Sequence, residues 1–268
     1  MLHSNPIVSE VISQFRAIEL MTRVFADSTE PSATKGLLIS GDAGMGKTHA
    51  VQRGLSTSTR PSNIITLKGS SITATAFYAQ LYFAREKGSV LVLDDVDIIH
   101  KTAAELFQIL DLIKGATEMT KGDRPLKWQR TTRNAFFVDN AIPLEFDFQG
   151  SIIWITNDPL EEMAKKMKGH WFAINSRFTT KEFKLQHYEK VQYTLYLIDE
   201  CGMLGEACPT REGGYSNDII GSTSQFIRKN WKDFRDMTPR NALQLADFMF
   251  KYPNDWEILV ENQMLTSK

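Results

Sequence analysis

Gly41-Asp42-Ala43-Gly44-Met45-Gly46-Lys47-Thr48 has the residue types and spacing to hold phosphate. It fits G-x-x-x-x-G-K-[ST], the phosphate-binding loop, at every fixed position. Glycines let the backbone turn tightly, so that successive N–H groups face phosphate oxygens. Lys47 adds a cation for the β- and γ-phosphates, and Thr48 offers a hydroxyl to Mg²⁺. A helix starting near Thr48 would point the positive end of its dipole at the same phosphates. ATP and Mg²⁺ are the expected cofactors, with residues 41–48 and His49 lining the nucleotide.

A second set of groups lies downstream. Leu91-Val92-Leu93-Asp94-Asp95 is an apolar strand ending in two carboxylates. Ligands of open parallel sheets sit at the carboxyl ends of strands, which would bring Asp94 to the Mg²⁺ held by Thr48. Asp95 would then orient or deprotonate an attacking water.

These groups need a scaffold, and its elements are legible. Residues 36–40 form a short apolar run before the loop, and residues 49–55 can continue as a helix after it. Strands are expected at 63–67, 90–93 and 151–156, and helices at 8–25, 75–85 and 103–114, the last closed by Gly115. Two further strands, 134–138 and 142–148, are expected to meet at a turn near Asp139-Asn140. Beyond Phe178 the pattern becomes helical, at 186–202, 222–232, 239–250 and 254–265. Strands alternating with helices, then a helical tail, predict an α/β fold: a parallel five-stranded sheet between helices, followed by a small α-helical lid. The expected domains are 1–184, with 1–30 as a helical lead-in, and 185–268.

Bulk properties narrow the class. The 268 residues carry a formal charge of −1, which argues against a uniformly basic nucleic-acid coat but leaves room for a local basic channel. The two cysteines, Cys201 and Cys208, exclude a disulfide scaffold and lack zinc-site spacing. No apolar run reaches the length of a membrane span, and the N-terminus lacks a secretory pattern. The expectation is a soluble, cytoplasmic protein; its compactness suits a phage or mobile element.

The phosphate loop and acidic strand end, taken with four later features in order, resemble the AAA+ family of P-loop ATPases over about residues 7–250. Residues 67–88 resemble the segment between the family's second and third strands. Ile155-Thr156-Asn157 resembles the strand ending in sensor 1, which implies that Asn157 positions the lytic water. Asn175-Ser176-Arg177-Phe178 resembles the arginine-finger element. Thr238-Pro239-Arg240-Asn241-Ala242-Leu243 resembles sensor 2 at the start of a lid helix. The resemblance implies ATP hydrolysis with Lys47, Asp95, Asn157, Arg177 and Arg240 as catalytic residues. It also implies a homo-oligomeric ring or spiral, commonly hexameric, in which Arg177 serves a neighbour's site.

One departure bears on rate. Many family members have Asp-Glu where this chain has Asp94-Asp95. A carboxylate one methylene shorter predicts slow basal hydrolysis. The double aspartate and Ser-Arg-Phe are also similar to replication initiators and helicase loaders, although no helix-turn-helix follows residue 250.

Two features speak to the target. Lys121, Arg124, Lys127, Arg130 and Arg133 surround Trp128, with Asp123 as the opposing charge, so 121–133 is a candidate DNA contact. Ala76-Phe77-Tyr78 fits an aromatic pore loop poorly and is expected to pack a helix on the sheet. Three readings follow: a motor or loader on DNA or a DNA-bound protein complex, a protein remodeller, or a slow nucleotide switch that scaffolds a partner. A partner protein is expected to supply targeting.

Overall fold

The computed structural model describes residues 4–27, 35–58, 63–118, 124–128 and 135–266. The chain divides into two compact units. One comprises residues 16–42 and 47–183; the other comprises residues up to 15, 43–46 and those from 184 onward.

In chain order the first elements are α1 (Pro6–Asp27), β1 (Gly36–Gly41), α2 (Lys47–Ser56), β2 (Ile64–Lys68), α3 (Ala74–Phe83), β3 (Val90–Asp94) and α4 (Ala103–Ala116). Next come β4 (Pro125–Lys127), α5 (Ala135–Asp139), β5 (Glu145–Asp147), β6 (Ser151–Thr156), α6 (Leu160–Met167), α7 (His170–Arg177) and β7 (Phe178–Phe183).

The larger unit is built on a five-stranded sheet of order β2-β3-β6-β1-β7, in which every pairing is parallel. Its three central strands are buried along their whole length, as their unbroken apolar runs require of a sheet covered on both faces. Edge strand β2 instead alternates exposed and half-buried residues. Helices α3 and α4 pack against the sheet through Phe77, Leu81, Ile109 and Ile113, which join Leu91, Ile152 and Trp154 in one core. Both helices start at a threonine whose hydroxyl accepts from a first-turn N–H: Thr73 from Ala76, and Thr102 from Glu105. Register fixes what lies together at the carboxyl edge. Ser40 is level with Thr156, and Asp94 with Ile155.

Two expected elements differ. Residues 135–139 form a short helix, and the partner of β5 is β4, with Leu126 opposite Phe146. A four-residue apolar run has no periodicity to distinguish strand from helix, and here the burial of Phe137 settles it. Helix α4 also runs through Gly115 to its cap at Thr117. A Cβ at Gly115 would lie 2.6 Å from Leu126 Cδ2, so this glycine makes room for β4 rather than ending the helix. Strand β7 and helices α6 and α7 were not expected individually.

The second unit contains α8 (His187–Asp199), α9 (Asn217–Asn230), α10 (Pro239–Lys251) and α11 (Trp256–Gln263). Leu195, Ile198, Ile227, Leu245 and Val260 form its core. The intervening loop is ordered by its own contacts. Leu204 and Tyr215 are buried, and the Arg211 guanidinium lies 3.9 Å from the Phe250 ring centroid. The start of α1 belongs here too, with Phe15 stacked on Tyr193 at 5.1 Å.

Candidate nucleotide site

The turn between β1 and α2 is glycine-dependent. Gly44 and Gly46 have φ of +75° and +100°, a region side chains rarely adopt. Lys47 opens α2 and is only 5% exposed. Its ammonium donates to the carbonyls of Gly41 at 2.7 Å and Asp42 at 2.8 Å, and to Asn157 Oδ1 at 3.0 Å. The Thr48 hydroxyl donates to Asp94 Oδ1 at 2.7 Å.

Asn157, at the end of β6, joins the groups on either side. Its Oδ1 accepts from Lys47, while its Nδ2 donates to Asp95 Oδ1 at 2.8 Å. Asp95 takes a left-handed backbone, φ +57°, with its N–H on the Ile155 carbonyl at 3.0 Å. Aspartate is among the few residues that tolerate this conformation. The parallel register of β1, β3 and β6 therefore brings five of the expected site residues to one edge of the sheet, in two bonded sets: Lys47, Asn157 and Asp95 in one, Thr48 and Asp94 in the other.

The donor set fits Mg²⁺. A hydroxyl and a buried carboxylate, both hard oxygen donors, stand in contact at Thr48 and Asp94. Among the described residues no three His, Cys, Asp or Glu side chains form a metal cage. An ion here would complete its shell with phosphate oxygens and water, as Mg²⁺ commonly does.

Each of the two expected arginines has neighbours within its own unit. Arg177, at the end of α7, donates to Glu118 Oε2 at 2.6 Å and to the Ala173 carbonyl at 2.9 Å. Arg240 is exposed in the first turn of α10. Within its own unit, which includes loop residues 43–46, a Cβ on Gly44 would come within 3.0 Å of both Arg240 Cβ and Thr238 Oγ1.

The basic segment needs a correction. Arg124 is 6% exposed and donates to the Ala116 carbonyl at 2.7 Å; burial lowers its pKa below the ordinary arginine value. Trp128 packs on Tyr78 at 5.3 Å and on Phe137 at 5.4 Å. Tyr78 is itself buried, its hydroxyl donating to the Pro143 carbonyl, and burial holds its phenol well above the usual range. Arg124 therefore builds the fold and does not present to a ligand, while Trp128 is half-buried against the same aromatic cluster. Lys127 is exposed and paired with Glu145 at 3.0 Å. Lys121, Asp123, Arg130 and Arg133 lie outside the described residues. Phe77 and Tyr78 pack the core, as expected.

Ser40, His100, Thr156 and Asp158 were not singled out from sequence, yet the first three all bond to Asp158, the residue after Asn157. No motif marks them. Their one signal is position, directly before the phosphate loop or just after an apolar strand.

No protein-family model matches the chain. An uncharacterized 36.7 kDa protein from the nrdC-mobD intergenic region of Enterobacteria phage T4 is 28% identical over 230 residues, which are 83% of this chain and 66% of the phage protein. Among solved structures, NtrX from Brucella abortus matches 93% of this chain and 50% of its own, with TM-score 0.50 and 12% identity. The FIGL-1 AAA domain matches 95% of this chain and 75% of its own, with TM-score 0.45 and 14% identity. The chain thus spans just under two thirds of the phage relative and half of NtrX. The fold is that of the AAA+ P-loop ATPases. No described helix is long and apolar enough to cross a membrane.

Proposed function

We propose that the chain binds ATP with Mg²⁺ at residues 41–49 and hydrolyses it. The observation that carries this reading is the convergence of Lys47, Thr48, Asp94, Asp95 and Asn157 at one edge of the sheet. Lys47 supplies charge to the β- and γ-phosphates; Thr48 and Asp94 hold the metal ion, which neutralises charge on the transferring phosphoryl group. Asp95 takes the proton of the attacking water, and Asn157 fixes that carboxylate beside Lys47. Arg240 contributes a cation from the lid of its own chain. Arg177 contributes one to a neighbouring copy, which makes the working form a homo-oligomer, a ring or spiral of hexameric type. The domain boundary at 184–185 separates the nucleotide domain from the lid.

Turnover is coupled to remodelling or loading on DNA or a DNA-bound protein complex. The resemblance to initiators and loaders supports this part, and Lys127, paired with Glu145, is the exposed cation among the described residues of 121–133. The phage relative supports a phage origin; an intracellular site of action and a partner protein that supplies targeting complete the proposal. The test is steady-state ATP turnover with and without single- and double-stranded DNA, with Lys47→Ala as the blank. Stimulation by DNA that Lys47→Ala abolishes supports the reading. Turnover equal in wild type and Lys47→Ala overturns the site.

A second reading is a slow nucleotide switch. The observation favouring it is Asp95 itself, a short carboxylate held against Asn157. Turnover indifferent to DNA, with a partner protein captured only in the ATP-bound form, would select it.

A further inference from the structure

We propose that His100 and Asp158 form a latch that positions Asn157, and through it Asp95, for the hydrolysis step. This inference rests on the functional reading above for its kinetic consequence, but not for its geometry.

Asp158 is where three loops meet. Its carbonyl accepts from the Ser40 hydroxyl at 2.6 Å, directly before the phosphate loop. Its N–H donates to Thr156 Oγ1 at 3.0 Å, and the Thr156 hydroxyl donates to Asp158 Oδ2 at 2.7 Å. These bonds close a tight turn around Asn157. The remaining carboxylate oxygen, Oδ1, lies 3.0 Å from His100 Nε2. A carboxylate only accepts, so His100 donates through Nε2.

His100 comes from the loop between β3 and α4, the loop that Asp95 opens. Its own N–H is anchored on Asp97 Oδ1 at 3.2 Å. Asp97 is in turn held by its N–H on the Ser70 carbonyl at 3.1 Å. Two cross-links therefore join the loop after β3 to the turn after β6: Asp95 to Asn157, and His100 to Asp158. Adjacent residues, 157 and 158, receive them. With both in place, the turn cannot rotate about Asn157 without breaking the second link. With His100 removed, the turn keeps its bonds to Ser40, Thr156 and Lys47, but Asp95 is left as the one side chain of the loop after β3 that holds it. His100 is thus a positioning residue, because its ring contacts Asp158 and acts on Asp95 through the turn. Glutamine suits rescue because its Nε2 can stand in for the imidazole Nε2 donor.

Two readouts test this. The first is the side-chain amide pair of Asn157 in ¹⁵N-asparagine-labelled protein, identified by its loss in Asn157→Asp. His100→Ala should shift or broaden that pair while other asparagine side chains stay in place, and His100→Gln should restore it. An Asn157 pair unmoved by His100→Ala overturns the proposal, as does a general change across all asparagines. The second is kinetic. His100→Ala should lower kcat by about tenfold and leave ATP affinity within about twofold, the pattern of lost alignment rather than lost binding. A change in affinity at unchanged kcat overturns it. The double variant His100→Ala/Asp158→Ala should be no slower than Asp158→Ala alone; additive losses would refute the link. If wild-type protein shows no turnover at all, the functional reading fails, while the amide readout still decides the latch.

Discussion

Asn157 Nδ2 donates to Asp95 Oδ1 at 2.8 Å, and Asp95 reaches it from a left-handed backbone with φ +57°. The shorter acid is placed by its backbone rather than by side-chain length. Asp95→Gly would relieve the left-handed strain while adding glycine's entropic cost, each about 1 kcal/mol, so stability should change little. Turnover should fall by about a hundredfold or more with the loss of a general base. Chemical denaturation and steady-state turnover check both halves; a large loss of stability would contradict the backbone account.

Lys47→Ala removes a cation with three bonded acceptors in the Gly41 carbonyl, the Asp42 carbonyl and Asn157. Charge-assisted hydrogen bonds contribute about 1.5–3 kcal/mol each. Nucleotide affinity should drop by at least about tenfold, measured by titration with a fluorescent ATP analogue. Unchanged affinity would remove this lysine from the phosphates.

Thr48→Ala and Thr48→Ser should separate through metal demand. Serine keeps the hydroxyl that now meets Asp94 at 2.7 Å, whereas alanine does not. The Mg²⁺ concentration for half-maximal turnover should rise in Thr48→Ala and stay near wild type in Thr48→Ser. Chelation of divalent ions should stop turnover in all three proteins, and added Mg²⁺ should restore it. Turnover that persists in chelator would exclude a required metal.

Arg177→Ala and Lys47→Ala should each be inactive alone and regain part of the activity when mixed, because a mixed assembly pairs an intact loop with an intact arginine. The readout is turnover against mixing ratio. A mixture as inactive as its components would place Arg177 in its own chain's chemistry or outside it, consistent with its bond to Glu118 being purely structural.

Trp128→Ala should destabilise the larger unit by less than the cost typical of a fully buried aromatic, about 3–5 kcal/mol, because Trp128 is half-buried. Urea denaturation measures it. A variant as stable as wild type but weakened in DNA binding would return Trp128 to the role first expected from its basic neighbours.

Legibility in the sequence followed burial. Strands β1, β3 and β6 are central, so their apolar runs stand out, and the phosphate loop and Asp94-Asp95 are placed by them. Strand β7 is an edge with Thr179, Thr180, Lys181 and Glu182 between its two buried phenylalanines, which leaves no apolar run to read. Arg124 and Trp128 were read by residue type as a surface for nucleic acid. Arg124 is instead buried on the Ala116 carbonyl, and Trp128 is half-buried on Tyr78, a residue distant in sequence that only the fold brings near. His100 and Asp158 pair across 58 positions, between two loops that the β3–β6 pairing brings together, and no local pattern marks them.

The three protons of the Lys47 ammonium already have acceptors. On the proposed reading, a phosphate oxygen reaching this lysine would exchange with a carbonyl or the Asn157 amide rather than add to them. Such an exchange favours ligands that bring several negative oxygens at once over single weak anions, and it leaves the loop ready to reclaim its lysine as product departs. Selectivity for a polyphosphate and ease of release would then have one origin, in the carbonyls of Gly41 and Asp42.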